Sequence, residues 1–171
     1  WLFFALAMTL AFYTHSLAFL NLLALDIFVL TQRDILRARW RSLIGAHIII
    51  GILFAPWAMV MLQQIQRVQA GFWGAPPSLL VLFTTPYVFI FGNAMPLSLV
   101  PLALFVVVAL LFFMGLAVLR AIRTRDAQSQ ELGLLVCVYL VPLVVLYLIS
   151  LVRPMFVERT LIPASLGLYA L

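Results

Sequence analysis

Residues 42–62, 97–119 and 132–152 form three apolar runs, and every charged residue of the chain lies outside them. A helix crosses the roughly 30 Å hydrocarbon core of a bilayer with about 20 apolar residues. Runs of this length therefore read as membrane spans. In lipid, only helices and closed barrels satisfy their own backbone polar groups. The expected fold is all-α: a polytopic membrane helix bundle. Composition points the same way. The chain is 67% hydrophobic and 9% charged, whereas a soluble domain carries about 25% charged residues.

The first run, residues 1–30, is longer than one span needs, at about 45 Å as a single helix. Tyr13-Thr14-His15-Ser16 interrupts it with four consecutive polar groups. A break there, with spans over 1–14 and 15–31, is the favoured reading; one long tilted helix is the other. Further spans are expected over 42–62, 97–119 and 132–152. A last one, 163–171, starts an inward helix that is cut off. Trp1 opens the chain and Leu171 closes it inside apolar runs, as expected of a fragment of a longer multipass protein.

Arginine sets the orientation. Arg33, Arg37, Arg39 and Arg41 form one cluster and Arg120, Arg123 and Arg125 another. By the excess of Lys and Arg in cytoplasmic loops, both clusters belong inside, with 31–41 and 120–131 as cytoplasmic loops. Arg67, Arg153 and Arg159 then fall outside. Residues 63–96 become an extracytoplasmic loop, because the spans on either side of it end and begin outside. Its apolar element, residues 78–91, is too short to span and suits a re-entrant or interfacial segment. Pro56 is expected to kink its span or mark its last turns. Arginine clusters between membrane spans are not a nucleic-acid footprint, and no basic-aromatic face is present.

Phosphate-cradling glycine loops, His-Glu-x-x-His metal pairs and Gly-x-Ser-x-Gly elbows are missing. No cofactor is evident, and a lone Cys137 in an apolar run offers neither a disulfide nor a cysteine metal site. The inferred topology gathers Tyr13, His15, Arg67, Trp73, Arg153, Glu158 and Arg159 on the outer side. Arginine is always charged and donates in a planar fork, which suits a lipid phosphate. The plain alternative is that Arg153 and Arg159 solvate the loop or pair with Glu158. Glu158 either orients Arg159 or accepts a proton. His15 either hydrogen-bonds a phosphate or sugar hydroxyl or packs as an ordinary histidine. Trp73 either stacks on a sugar or belongs to an aromatic belt. Within the spans, His47 has no evident partner. Asp26 reaches the inner interface or pairs with Arg33, and Asn21 is a further intramembrane polar group.

The order of these features carries a resemblance. Tyr13-Thr14-His15 precedes an apolar run and an arginine cluster; Phe54-Ala55-Pro56-Trp57 and Gln63-Gln64 follow. Phe72-Trp73 with Pro76-Pro77 comes next, and Glu158-Arg159-Thr160-Leu161-Ile162-Pro163-Ala164 closes the series. This resembles the middle-to-C-terminal membrane region of bacterial glycosyltransferase family 39-like proteins, relatives of the protein O-mannosyltransferases in the GT-C class. The resemblance implies a multipass enzyme of a bacterial inner or plasma membrane, whose partners are the bilayer, a polyprenyl-phosphate-linked sugar donor and an acceptor. It implies sugar transfer on the extracytoplasmic face, with an acidic base in a loop upstream of this chain. Arg159 matches the arginine before the Leu-x-Pro-Ala stretch, and His15 the polar residue at a helix break. Thr160, Leu166 and Ser16 depart from the family pattern, in which aromatic, proline and aromatic residues are frequent. A multipass transporter and a non-catalytic membrane scaffold are the alternatives.

Overall fold

A computed structural model describes residues 1–69, 76–92, 96–124 and 126–170. All regular structure among these residues is helical. Two compact units divide the chain, Trp1–Gly74 and Ala75–Leu171.

The first unit contains α1 (Leu2–Thr14), α2 (Phe19–Thr31) and α3 (Arg33–Gln69). The long apolar run divides at His15, which is extended at φ −146°, ψ 109°. Hydrogen bonding carries on across the break. His15 N–H donates to Ala11 O, and its carbonyl accepts from Ala18 N–H at the end of the short 3-10 helix Ser16–Ala18. Thr14 Oγ1 also donates to Ala11 O at 3.0 Å. Such local side-chain bonds give the chain an alternative to continuing the helix. The core of this unit joins all three helices, with Ala5 and Phe12 of α1, Leu22 of α2, and Ala46 and Ile50 of α3 packed together.

Helix α3 differs from expectation at both ends. Residues 33–41, expected as a loop, form its first turns. Arginine, leucine and alanine are good helix formers, and Asp34 in the first turn complements the positive helix N-terminus. At the other end the helix passes Pro56 and runs to Gln69 through glutamine, methionine and leucine, which also favour helix. Polarity alone suggested a loop from residue 63; polar side chains on good helix formers do not end a helix.

The second unit contains α4 (Val81–Phe91), α5 (Val100–Thr124), α6 (Ala127–Val152) and α7 (Ile162–Tyr169). Helices α5 and α6 pack together and are joined by Arg125 and Asp126 alone. Asp126 caps α6, accepting from Ser129 N–H at 2.7 Å, and lies 3.7 Å from Arg120. Those Ser129 bonds, with Arg120 adding to them, hold the exposed Asp126 carboxyl below the usual carboxylate range. Thr124 and Ser129 hydroxyls bond across the same turn at 3.0 Å.

Three described helices are long and apolar enough to cross a membrane: α3 over Arg33–Gln64, α5 over Val100–Ala121 and α6 over Ala127–Val152. Their surfaces agree. On α5, Leu102, Phe105, Val108, Phe112 and Phe113 are exposed, and only 17% of its most apolar window is buried. In water this surface would be an aggregation liability; in lipid it is the ordinary outer face of a span. Helix α4 has 11 residues, about 16 Å of helix, roughly half the hydrocarbon core.

Helix α7 docks on α6 through Gly167. A Cβ there would stand 2.5 Å from the Leu135 carbonyl oxygen and 3.1 Å from Tyr139 N, both backbone atoms that cannot rotate aside. Small residues allow this kind of close helix approach in membrane proteins. Gly167→Ala is expected to part α6 from α7 and destabilise the fold by about 1–3 kcal/mol. Gly51→Ala, where nothing lies within 4 Å of the added carbon, serves as the neutral control. Thermal unfolding of both variants in detergent checks this.

Candidate functional site

The expected site residues fall into two groups, one on each unit. In the second unit, Arg153, Glu158 and Arg159 share the segment that joins α6 to α7. Arg153 ends α6 in extended backbone at φ −133°, ψ 102°, and its N–H donates to Ile149 O. No regular element covers residues 154–157; Val157 is extended at φ −140°, ψ 125°, and the 3-10 helix Glu158–Leu161 follows. Two bonds shape this turn: Thr160 N–H and Thr160 Oγ1 both donate to Val157 O, at 3.0 and 2.6 Å. Leu161 is 2% exposed and anchors the turn on the core. Pro163 follows in the first turn of α7, where its missing N–H costs no hydrogen bond.

This scaffold leaves Arg153 and Arg159 exposed and Glu158 half-buried. Among the described residues, Glu158 makes no ion pair with either arginine. The expected Glu158–Arg159 pairing is therefore not formed. Residue 158 opens the 3-10 turn and residue 159 continues it, and the two side chains do not meet. Among the described residues neither guanidinium has a hydrogen-bond or ion-pair partner, which leaves their donors to an outside acceptor.

In the first unit, Tyr13 and His15 lie at the end of α1. The Tyr13 ring packs on Phe54 and Trp57 of α3, with centroids 5.8 Å apart in each case. Its hydroxyl donates to Leu53 O at 3.0 Å. Pro56 has no N–H for the carbonyl of Ile52, so Tyr13 reaches α3 just where its ladder is interrupted. The side chain fastens α1 to α3. His15 is half-buried, and its Nδ1 is buried without a hydrogen-bond partner among the described residues. Arg67 lies near the end of α3, its side chain outside the described residues, as is all of Trp73.

One polar contact was not anticipated. His47 of α3 meets Asp26 of α2, with Nε2 3.0 Å from Oδ2, and His47 Nδ1 lies 2.9 Å from Leu43 O. Asp26 had been assigned to Arg33 or the inner interface, and His47 to no partner. The pair borders an open groove of about 440 Å³ whose other walls are Leu30, Leu43, Ile44 and Ile48. The signal was present in the sequence: two ionisable residues isolated in separate apolar runs are each costly in lipid, and such residues pair with one another. No cluster of three or more His, Cys, Asp or Glu side chains able to hold a metal occurs among the described residues.

Comparison of the chain with family models, curated proteins and solved structures found no match. Replacing Tyr13 by Phe keeps the ring contacts and removes only the bond to Leu53 O. Tyr13→Phe is expected to lower stability by about 0.5–1.5 kcal/mol, whereas Tyr13→Ala, which also loses the ring packing, lowers it further. Unfolding in detergent separates the two.

Proposed function

We propose that this chain is the membrane region of a glycosyltransferase that takes its sugar from a polyprenyl-phosphate carrier and delivers it to an extracytoplasmic acceptor. The observation that carries this reading is Arg159: exposed, without an ion-pair partner among the described residues, and set by a short 3-10 turn beyond the end of the membrane-length helix α6. A guanidinium at headgroup depth matches the phosphate of a lipid carrier and offers two parallel charge-assisted hydrogen bonds. Arg153 lies on the same segment and adds positive charge. The ordered resemblance to the family 39-like proteins supports the same reading. In it, the short apolar helix α4 is a re-entrant or interfacial element on the outer side of a bacterial inner membrane.

The reaction would form a bond between the acceptor oxygen and the anomeric carbon while the bond from that carbon to the phosphate oxygen breaks. The acceptor proton would go to an acidic base upstream of this chain, and the lipid phosphate would leave with its charge stabilised by the arginines.

A multipass transporter is the second reading. The Asp26–His47 pair and the helix break at His15 favour it, since broken helices and intramembrane ionisable groups mark transport paths. Substrate flux into proteoliposomes without sugar transfer would select it. For the transferase reading, the full chain in nanodiscs should bind a polyprenyl-phosphate sugar, and Arg159→Ala should weaken binding about tenfold or more, the loss of roughly 1.4 kcal/mol. Arg159→Lys, which keeps the charge without the fork, should fall between. Equal affinity of all three proteins contradicts the assignment.

A further inference from the structure

The geometry of Asp26 and His47 fixes the number of protons they hold. Leu43 O is a backbone carbonyl and only accepts, so the 2.9 Å contact with His47 Nδ1 requires the hydrogen on Nδ1. A neutral imidazole carries one ring hydrogen, which leaves Nε2 as a bare acceptor. Nε2 nevertheless stands 3.0 Å from Asp26 Oδ2. A carboxylate oxygen facing a bare imidazole nitrogen would set two acceptors against each other. One added proton resolves the contact, either on Nε2 as an imidazolium beside a carboxylate or on Oδ2 as a carboxylic acid beside an imidazole. Both forms have zero net charge.

The surroundings make this proton consequential. His47 lies about 9 Å along α3 beyond Arg41, at roughly 1.5 Å per residue, within the membrane-length part of the helix. The grooves on either side of Asp26 are lined by apolar side chains from α1, α2 and α3, and Asp26 and His47 are the titratable side chains among them. Arg33 and Arg41, the basic residues that begin α3 and most closely precede His47, make no ion pair with Asp26 among the described residues. Arg41 instead lies over the Trp40 ring, 5.3 Å from its centroid. Losing the shared proton leaves a net negative charge among apolar walls and two acceptors in contact. Both effects push the groups apart. Within the first unit, this is the side-chain-to-side-chain hydrogen bond that links two helices among the described residues.

We propose that Asp26 and His47 form a binding site for one exchangeable proton, and that release of this proton separates α2 from α3. The site does not depend on the transferase reading. Two readouts test it on the full chain in nanodiscs. The first is ¹⁵N NMR of the histidine rings, with His47 assigned through the signals lost in His47→Gln. Between about pH 4 and pH 10, a range that brackets the ordinary histidine titration, Nδ1 should stay protonated while the Nε2 signal changes in one step, as Nε2 loses either its own proton or the hydrogen bond from Oδ2. The second is the distance between spin labels on α2 and α3, at Ile27→Cys and Ile52→Cys in a Cys137→Ala background. It should lengthen over the same pH interval. In Asp26→Asn, the amide donates to a bare Nε2 and contributes no titrating proton, so the distance should stay short throughout. An Nε2 signal unchanged across the range, or a separation that changes equally in Asp26→Asn, would overturn the proposal. The wild-type NMR titration decides the first point even if the variant does not fold.

Discussion

Every backbone carbonyl and N–H that enters lipid must find its partner within the protein, because the hydrocarbon offers none. Several polar side chains in the apolar helices meet the same requirement, although Asn21 Oδ1, Tyr139 OH and Ser150 Oγ are buried without a hydrogen-bond partner among the described residues. Thr9 donates to Ala5 O, Thr85 to Val81 O and Ser165 to Ile162 O, each turned back on its own helix. Tyrosines also donate to backbone carbonyls of other helices. Tyr169 of α7 reaches Phe89 O near the end of α4 at 2.7 Å, and Tyr13 of α1 reaches Leu53 O near Pro56 of α3. The constraint thus creates helices and also selects the contacts that dock one helix on another.

It also sorts the charges. Arginines cluster at helix ends, and Arg153 and Arg159, beyond the end of α6, are exposed. Asp26 and His47, isolated ionisable groups on the apolar helices α2 and α3, meet each other. One physical rule therefore yields two chemically different places: an exposed arginine-bearing turn beyond α6, and a hydrogen-bonded Asp26–His47 pair bordering an open groove.

Much of the fold was legible because hydropathy and helix length are properties of local sequence. The break at Tyr13–Ser16 was legible for the same reason, four polar groups in succession. The helical state of residues 33–41 and 63–69 was not, since polarity was taken for a loop while arginine, glutamine and leucine favour helix equally well in water and at an interface. Of the candidate site, the place of Arg159 beyond a span was legible from hydropathy. The partner of Asp26 did not, because it depends on how α2 lies against α3, and residues 26 and 47 are joined by no periodicity along the chain. Tyr13 was gathered with the outer polar residues by the inferred topology; the contacts of its ring and hydroxyl with α3 depend on tertiary packing.

The account rests on α6 crossing the bilayer, with its capped N-terminus at one face and the Arg153–Arg159 segment at the other. Single cysteines at Gln128→Cys and Arg153→Cys, in a Cys137→Ala background, test this in sealed, uniformly oriented vesicles with a membrane-impermeant thiol reagent. Labelling of one position from outside, and of the other only after the membrane is opened, is the expected result. Labelling of both positions from the same face would contradict the account.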